Sequence, residues 1–397
     1  MADSKRKGFR TIEINHEELN EKIWQHRKKR IRRAIEIIIL AVLLVLVVKL
    51  IYAVQSYDDY EVKSSTERKS TNVTKFKEFS DYILEYSNDG IICMTKGGEL
   101  VWNQSFEMID PEVEICEEYL VAYDKSGTEI LILSKAGLQK KIETTSEIQT
   151  VSLAKQGTIA VLMKEKDESQ IKLYDKKGNE LANGRYYDDK GSIPIDVALS
   201  RDGKKMAVSM IDVTGKKVNS SVTFYNFGTV GQSSIDNNVG TYNFEGMLIP
   251  EIYYVSENKM IALGTDKIIV FEGKQKPEID REIPISEEVE SYFYNDKYIG
   301  VVYDNPDVEN GWKIQVMDTR GKITMDCETE ISYEEIAFLS NNEICITNKT
   351  ECEIYTIFST KKFAYTFDKE MYRIVSNGKG TNYIFIFKET TEEVRLK

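Results

Sequence analysis

The stretch "LYDKKGNEL" (residues 173–181) has the composition of two short β-strands joined by a tight turn. In its centre, the Asp175 side chain can accept hydrogen bonds from the backbone of the turn. Gly178 can adopt the positive φ that closes a hairpin. Whether this hairpin occurs once or recurs along the chain decides between an ordinary β-hairpin and a repeat protein.

The hairpin recurs across the whole body of the chain. Seven segments share its strand–turn–strand pattern: 91–102, 130–142, 171–182, 222–232, 268–279, 314–325 and 355–367. Their turns begin near Thr95, Ser134, Asp175, Asn226, Glu272, Asp318 and Ser359, at intervals of 39 to 51 residues. This regular spacing indicates one structural unit repeated along the chain.

A second hairpin of apolar strands precedes each copy, as in "VALSRDGKKMAVSM" (197–210). The other members of this set are 73–86, 113–123, 151–163, 254–264, 289–303 and 336–347. Two hairpins supply four strands in about 40–45 residues, which is the size of one blade of a β-propeller. The sequence therefore predicts an all-β propeller of four-stranded blades.

The number of blades depends on how the ring closes. The last copy, residues 371–397, contains three strand-like runs, and we expect residues at roughly 60–72 to supply the fourth. This closure predicts eight blades, whereas seven remain possible if residues 55–90 do not complete a first blade. Two β-sandwiches are an alternative architecture, but they do not explain one period across the whole body.

The segment "VALSRDGKKMAVSM" resembles the inner hairpin of WD40-like and quinoprotein-like propellers, and "IKLYDKKGNEL" (171–181) resembles their outer hairpin. The resemblance covers about residues 73–397 and implies the fold without a specific function. The Trp-Asp dipeptide of WD40 repeats and the tryptophan motif of quinone-dependent dehydrogenases are absent, since the body contains only Trp102 and Trp312. The whole chain also resembles uncharacterised, single-pass, membrane-anchored propeller proteins of Gram-positive clostridia.

Residues 34–54 predict one N-terminal transmembrane helix, because 21 residues span about 31 Å as a helix and 37–48 is a continuous apolar run. Glu36 can pair with Arg32 one turn earlier. A cleaved signal peptide and a buried core helix are alternatives. The long head and the lack of an A-x-A site disfavour the signal peptide, and the seven cations between Lys22 and Arg33 disfavour the core helix. The charges that flank the predicted span are Arg27, Lys28, Lys29, Arg30, Arg32, Arg33 and Lys49.

Charge predicts the topology of the chain. Residues 1–54 contain 12 Lys/Arg and 6 Asp/Glu, and the remainder contains 41 and 59. By the positive-inside rule, residues 1–33 form a cytoplasmic head and 34–54 the membrane helix. Residues 55–72 then form a tether or closing strand, and 73–397 an extracytoplasmic propeller. The acidic body argues against a nucleic-acid partner.

The residues of the body do not predict a catalytic, cofactor-binding or metal-binding site. The two histidines, His16 and His26, both precede the body, which excludes histidine-based catalysis and histidine metal sites there. Two acidic loops, one with Asp304, Asp307, Glu309 and Asn310 and one with Asp188 and Asp189, have oxygen ligands suited to Ca²⁺. Neither follows a calcium-loop spacing, so solvated loops are the preferred interpretation.

The chain has five cysteines, an odd number, so at least one is unpaired within the chain. Cys345 and Cys352 flank a predicted turn. A two-residue turn would place them at disulfide distance, whereas a three-residue turn would pair Ile346 with Cys352 and prevent a bridge. The second register matches apolar residues better.

These observations favour a non-catalytic binding or scaffolding module at the cell surface, without a cofactor, for an envelope protein, peptide or glycan. One alternative is a hydrolase or lyase that acts on glycan through carboxylates. Another is a transmembrane sensor that signals through the cytoplasmic head.

Overall fold

The computed structural model of the protein describes residues 16–68, 74–187, 191–306, 308, 311–378 and 380–397. Within these ranges the chain begins with helix α1 (His16–Val54) and strand β1 (Tyr60–Glu67). Side chains of α1 are described for residues 24–44. The helix up to Gln55 and the segment Ser56–Lys397 are two separate compact units.

Eight antiparallel four-stranded sheets follow one another along the second unit, which confirms the predicted eight-bladed propeller. Blade one contains β2 (Lys75–Phe79), β3 (Tyr82–Ser87), β4 (Gly90–Thr95) and β5 (Leu100–Ser105), and blade two contains β6 (Pro111–Cys116), β7 (Tyr119–Asp124), β8 (Glu129–Ser134) and β9 (Gly137–Glu143). Blade three contains β10 (Glu147–Leu153), β11 (Ile159–Lys164), β12 (Glu168–Tyr174) and β13 (Glu180–Tyr187). Blade four contains β14 (Ser192–Leu199), β15 (Lys205–Asp212), β16 (Asn219–Asn226) and β17 (Asn238–Phe244).

The next three blades are also built from consecutive strands. Blade five contains β18 (Glu251–Tyr254), β19 (Lys259–Leu263), β20 (Lys267–Glu272) and β21 (Glu278–Pro284). Blade six contains β22 (Val289–Tyr294), β23 (Tyr298–Asn305), β24 (Gly311–Asp318) and β25 (Ile323–Thr329). Blade seven contains β26 (Glu335–Phe338), β27 (Ile344–Thr347), β28 (Glu351–Tyr355) and β29 (Lys361–Thr366). The last blade contains β30 (Met371–Ser376), β31 (Asn382–Phe387), β32 (Thr390–Leu396) and β1.

The outer turns use the chemistry that the sequence predicts. Asp175 Oδ1 accepts hydrogen bonds from the backbone N–H groups of Lys177 at 2.8 Å and Asn179 at 2.9 Å. Gly178 has a φ of +82°, a conformation that favours glycine. Asp318 caps the corresponding turn of blade six through two backbone N–H groups of its own turn.

The first strand of the propeller closes the last blade. β1 pairs with β32 in antiparallel register, from Tyr60 opposite Leu396 to Glu67 opposite Thr390. The outer edge of blade eight is therefore covered by the N-terminal end of the same unit, as the three-stranded tail predicts.

Arg68 connects the closing strand to the first and last blades. Its Nη1 donates to the Phe387 carbonyl of β31 at 2.7 Å, and its Nη2 donates to Glu85 of β3 at 2.5 Å. The guanidinium lies 4.8 Å from the Phe76 ring centroid and 5.4 Å from that of Tyr372. The Arg68 and Glu85 side chains are only 7% and 11% exposed, so this is a buried ion pair at the seam of the ring.

Two outer hairpins differ from the prediction. In blade four the segment 222–232 is not a complete hairpin, because residues 227–237 form a loop with two short 3₁₀ turns and the outer strand begins only at Asn238. In blade seven the turn begins at Thr356 and not at Ser359. The Thr356 N–H donates to the Thr360 carbonyl, and its Oγ1 accepts from the Thr360 N–H.

Both predicted registers around Cys345 and Cys352 are wrong, and all five cysteines are free. The connection is a four-residue turn in which Asn348 Oδ1 accepts the N–H groups of Thr350 and Glu351. This turn pairs Cys352 with Thr347 and Cys345 with Ile354. The two thiols therefore lie on different cross-strand pairs.

Helix α1 contains the predicted basic cluster. Arg27, Lys28, Lys29, Arg30, Arg32 and Arg33 are all exposed, and Arg32 pairs with Glu36 at 3.4 Å as expected. The side chain of Lys49 lies outside the described residues. Over the residues that are described, no helix combines the length and apolarity needed to cross a membrane.

Replacing Arg68 with alanine should strongly destabilise the propeller. The change leaves the Glu85 carboxylate buried without its partner, which costs about 3–5 kcal/mol in the free energy of unfolding. Urea unfolding of the 56–397 fragment measures this loss.

The double variant Arg68→Met with Glu85→Gln, which leaves no unpaired charge, should recover much of the stability. Lys141→Ala, which breaks an exposed ion pair, is the control; an equal loss there would contradict this account.

Five titratable thiols should be counted in the unfolded, unreduced protein. Burial raises the pKa of Cys93 and Cys116 to about 11 and that of Cys327 to about 12. Because the thiolate is the reactive form, the native protein at pH 8 should react with a disulfide reagent on the order of 100-fold more slowly than a free thiol. A count of three thiols after unfolding would instead establish a disulfide.

Candidate functional site

The first strand of each blade lines the centre of the ring. These inner strands are β2, β6, β10, β14, β18, β22, β26 and β30. Adjacent inner strands lie against one another, as β10 does with β14 and β14 with β18. Because side chains alternate along a strand, each inner strand places some residues between blades and others in the central channel.

Four of the eight inner strands, β10, β14, β22 and β30, have a shift in their pairing with the second strand of the blade. In β10 and β14 the pairing with the second strand shifts by one residue immediately before Thr150 and Asp196. β-Bulges of this kind bend a strand and re-aim the residue that follows. Asp196 follows the bulge in β14, lies between apolar residues of that strand, and lines a cavity of the channel.

Three carboxylates from three blades line one channel cavity of about 310 Å³. They are Glu114 of β6, Asp196 of β14 and Glu251 of β18. The cavity extends to the inner hairpins, defined as the turns between the first and second strands of each blade. There it is lined by Arg201 and Asp296, which form an ion pair between the hairpins of blades four and six.

Asp196 is fixed by backbone donors. Its Oδ1 accepts the N–H of Val197 at 2.9 Å, and its Oδ2 accepts the N–H of Ile252 in the next blade at 2.7 Å. Burial raises the pKa of Asp196 to about 8, and the nearby carboxylate of Glu251 adds to this rise. At neutral pH much of the Asp196 carboxyl population therefore carries a proton.

Two tyrosines form a wall of the cavity beside Glu251. Tyr294 donates its hydroxyl hydrogen bond to Glu251, and its ring stacks on that of Tyr253 with centroids 3.7 Å apart. Burial raises the pKa of Glu251. Within the described residues, the buried hydroxyl of Tyr253 has no hydrogen-bond partner, although Glu251 and Asp296 are near enough to raise the pKa of Tyr253 further.

Glu114 completes the acidic lining. The residue is open to water within the channel but surrounded by protein, and this enclosure raises its pKa. The charge of Glu251 acts in the same direction, while Lys77 of β2 acts against it. The Lys77 ammonium is itself held by the carbonyl of Val113 at 2.5 Å. Glu114 and Glu251 therefore interact electrostatically across the cavity.

Of the residues in the two acidic loops considered in the sequence, the structure describes Asp304, which does not line this cavity. Asp307, Glu309, Asn310, Asp188 and Asp189 lie outside the described residues, and Asp304 is exposed. No group of three His, Cys, Asp or Glu side chains in the described ranges is placed to hold a metal ion.

The carboxylates of the cavity were not identified from the sequence. The body contains too many acidic residues for composition to select three of them. A usable signal is a single carboxylate within an otherwise apolar inner strand, as in "PIDVAL" (194–199). Its position in the channel depends on ring geometry that the sequence does not display.

Comparison with solved structures supports the propeller fold. The chain is similar to BamB from Moraxella catarrhalis (10% identity, TM-score 0.50, covering 85% of this chain and 98% of that one). It is also similar to the C-terminal WD40 domain of Sif2 (10%, 0.56, 86% and 99%) and to Sqt1 from Chaetomium thermophilum (11%, 0.50, 85% and 100%). At such identities the likeness shows a WD40-like or quinoprotein-like propeller fold alone.

No curated protein matches the sequence. A family model does match, over residues 53–396, which include the whole propeller. The chain therefore belongs to the family described as "Family of unknown function (DUF5711)".

Proposed function

We propose that this protein is a membrane-anchored, non-catalytic binding module that holds an envelope protein, peptide or glycan at the inner-hairpin end of its channel. The observation that carries this proposal is the cavity itself, to which five consecutive blades contribute side chains. A ring of packed blades keeps such a surface rigid, so little ordering entropy is lost when a partner binds.

The hydrogen bonds that the cavity carboxylates accept from the protein favour a binding function over a catalytic one. Asp196 accepts two backbone hydrogen bonds and Glu251 accepts that of Tyr294, so both groups are fixed by the protein. Preorganised acceptors of this kind suit recognition of a donor group on a partner. The absence of histidine from the body agrees with this interpretation.

The anchor and its orientation belong to the same proposal and rest on the sequence. The apolar run at 37–48 follows a dense basic cluster, and by the positive-inside rule the propeller would lie outside the cytoplasm. The resemblance to membrane-anchored propeller proteins of clostridia is consistent with that location.

Photo-crosslinking in membranes washed with alkaline carbonate tests this proposal. The crosslinker replaces Glu118 or Lys297 in the inner hairpins of blades two and six, or Lys349 in a turn at the opposite end of the strands. We expect the same envelope partner to be captured from positions 118 and 297, with little capture from position 349. Loss of the chain from washed membranes would contradict the anchor. Equal capture from all three positions would contradict the binding face.

A second candidate function is a carboxylate-dependent hydrolase or lyase that acts on glycan. The raised pKa of Asp196, about 8, favours this candidate, because a carboxyl group that is protonated near neutral pH can act as a general acid. The cavity of about 310 Å³ is small for a sugar chain, which weighs against it.

The enzymatic candidate predicts release of reducing ends from purified cell wall by the full-length protein. The rate should fall at least 100-fold in Asp196→Asn, because the proton donor is removed. Glu282→Gln, which alters an exposed carboxylate on the outer strand of blade five, should leave the rate unchanged. Absence of turnover by the unaltered protein would exclude this function.

A further inference from the structure

The channel cavity has the size and lining of a site for one organic cation. Its volume of about 310 Å³ lies at the lower end of the range for small-ligand sites, so it can hold a single side chain. The carboxylates of Glu114, Asp196 and Glu251 reach it from three different blades. Within the described residues no group of three His, Cys, Asp or Glu side chains is placed to hold a metal ion, and carboxylates spread around a cavity of this size suit an organic cation.

The aromatic wall gives an independent indication of a ligand. The stacked rings of Tyr253 and Tyr294 offer a surface that attracts cations through the ring quadrupole. The buried hydroxyl of Tyr253 lacks a partner among the described residues, and a buried polar group without a hydrogen bond is costly. A hydrogen-bond donor from a ligand would satisfy it.

We propose that this cavity receives the ammonium or guanidinium group of a lysine or arginine side chain of the bound polypeptide. The inference rests on the proposed binding function and names the chemistry of the partner. Such groups present several N–H donors, which match carboxylates that are spread around a cavity. Their alkyl stems allow the charged end to reach into a channel from a partner outside it.

The charges around the cavity favour a cation. Lys77 is the basic group beside Glu114, and Arg201 is neutralised by its ion pair with Asp296. The groups that face the three carboxylates from adjacent elements are Lys77, Glu112, Tyr123, Arg201, Tyr253, Tyr294 and Asp296. In the described channel, carboxylates therefore outnumber unpaired bases.

Binding should depend on pH in a defined direction. In the free protein the pKa values of all three carboxyl groups are raised, and that of Asp196 is about 8. A bound cation favours the ionised carboxylates, so binding releases protons. Affinity should therefore increase from pH 6.5 to pH 8.5, where a lysine side chain still carries its charge.

The test titrates the full-length protein in detergent with the peptides acetyl-Gly-Lys-Gly-amide and acetyl-Gly-Arg-Gly-amide by calorimetry. Two further probes are controls. Acetyl-Gly-norleucine-Gly-amide has the peptide backbone without the side-chain charge, and cadaverine has amino groups without a peptide backbone. We expect saturable binding of at least one charged peptide, at least tenfold weaker binding of the other two probes, and affinity that rises with pH. The proposal is overturned if the norleucine peptide binds equally or if neither charged peptide saturates at pH 8.5. Cadaverine binding as tightly as the peptides would assign the site to free amines and overturn the polypeptide assignment.

Variants locate the binding in the cavity. Asp196→Asn with Glu251→Gln should weaken peptide binding at least tenfold. Glu114→Gln breaks no described hydrogen bond, so it should disturb the fold less than the double variant does. This single variant should also weaken peptide binding. Glu282→Gln is the matched control and should bind normally. Binding unaffected by all cavity variants overturns the inference. Partner capture that survives those variants would remove this inference alone and leave the proposed function standing.

Discussion

The pairing of β1 with β32 is the constraint on which the rest of the molecule depends. Seven blades can form from consecutive hairpins, but the eighth needs a strand from the other end of the unit. Until that strand is in place, β32 is an uncovered edge of blade eight. The channel exists because the ring is closed, and the buried contacts of Arg68 tie the closing strand to the first and last blades.

The cavity shows how a repeated fold acquires an individual site. Every blade supplies an inner strand of the same type, yet carboxylates from blades two, four and five line one cavity together with tyrosines from blades five and six. Lys77 and Arg373 lie on the inner strands of blades one and eight, and Arg373 is paired with Glu335 of blade seven, so the charged residues differ from one inner strand to the next. This asymmetry arises from single residues, since the backbones of the blades are alike.

Sequence patterns were sufficient where local chemistry determines the structure. Asp175 and Gly178 define an outer turn through their own side-chain and backbone preferences, and the period of such turns predicts the ring. The same reasoning failed at Cys345 and Cys352, because the turn length is set by Asn348 capping two backbone groups. It could not find Glu114, Asp196 and Glu251, since their proximity is created by strands that are far apart in the chain.

The order of synthesis delays the pairing of the closing strand β1 with β32. Within the propeller β1 precedes the other strands and its partner β32 follows them, so β1 cannot pair with β32 until the strands between them have been synthesised. A contact of such large sequence separation forms slowly. The strand reads "YEVKSSTE" (60–67), in which charged and hydroxyl side chains predominate. Such a composition keeps a waiting edge soluble and discourages pairing with other nascent chains.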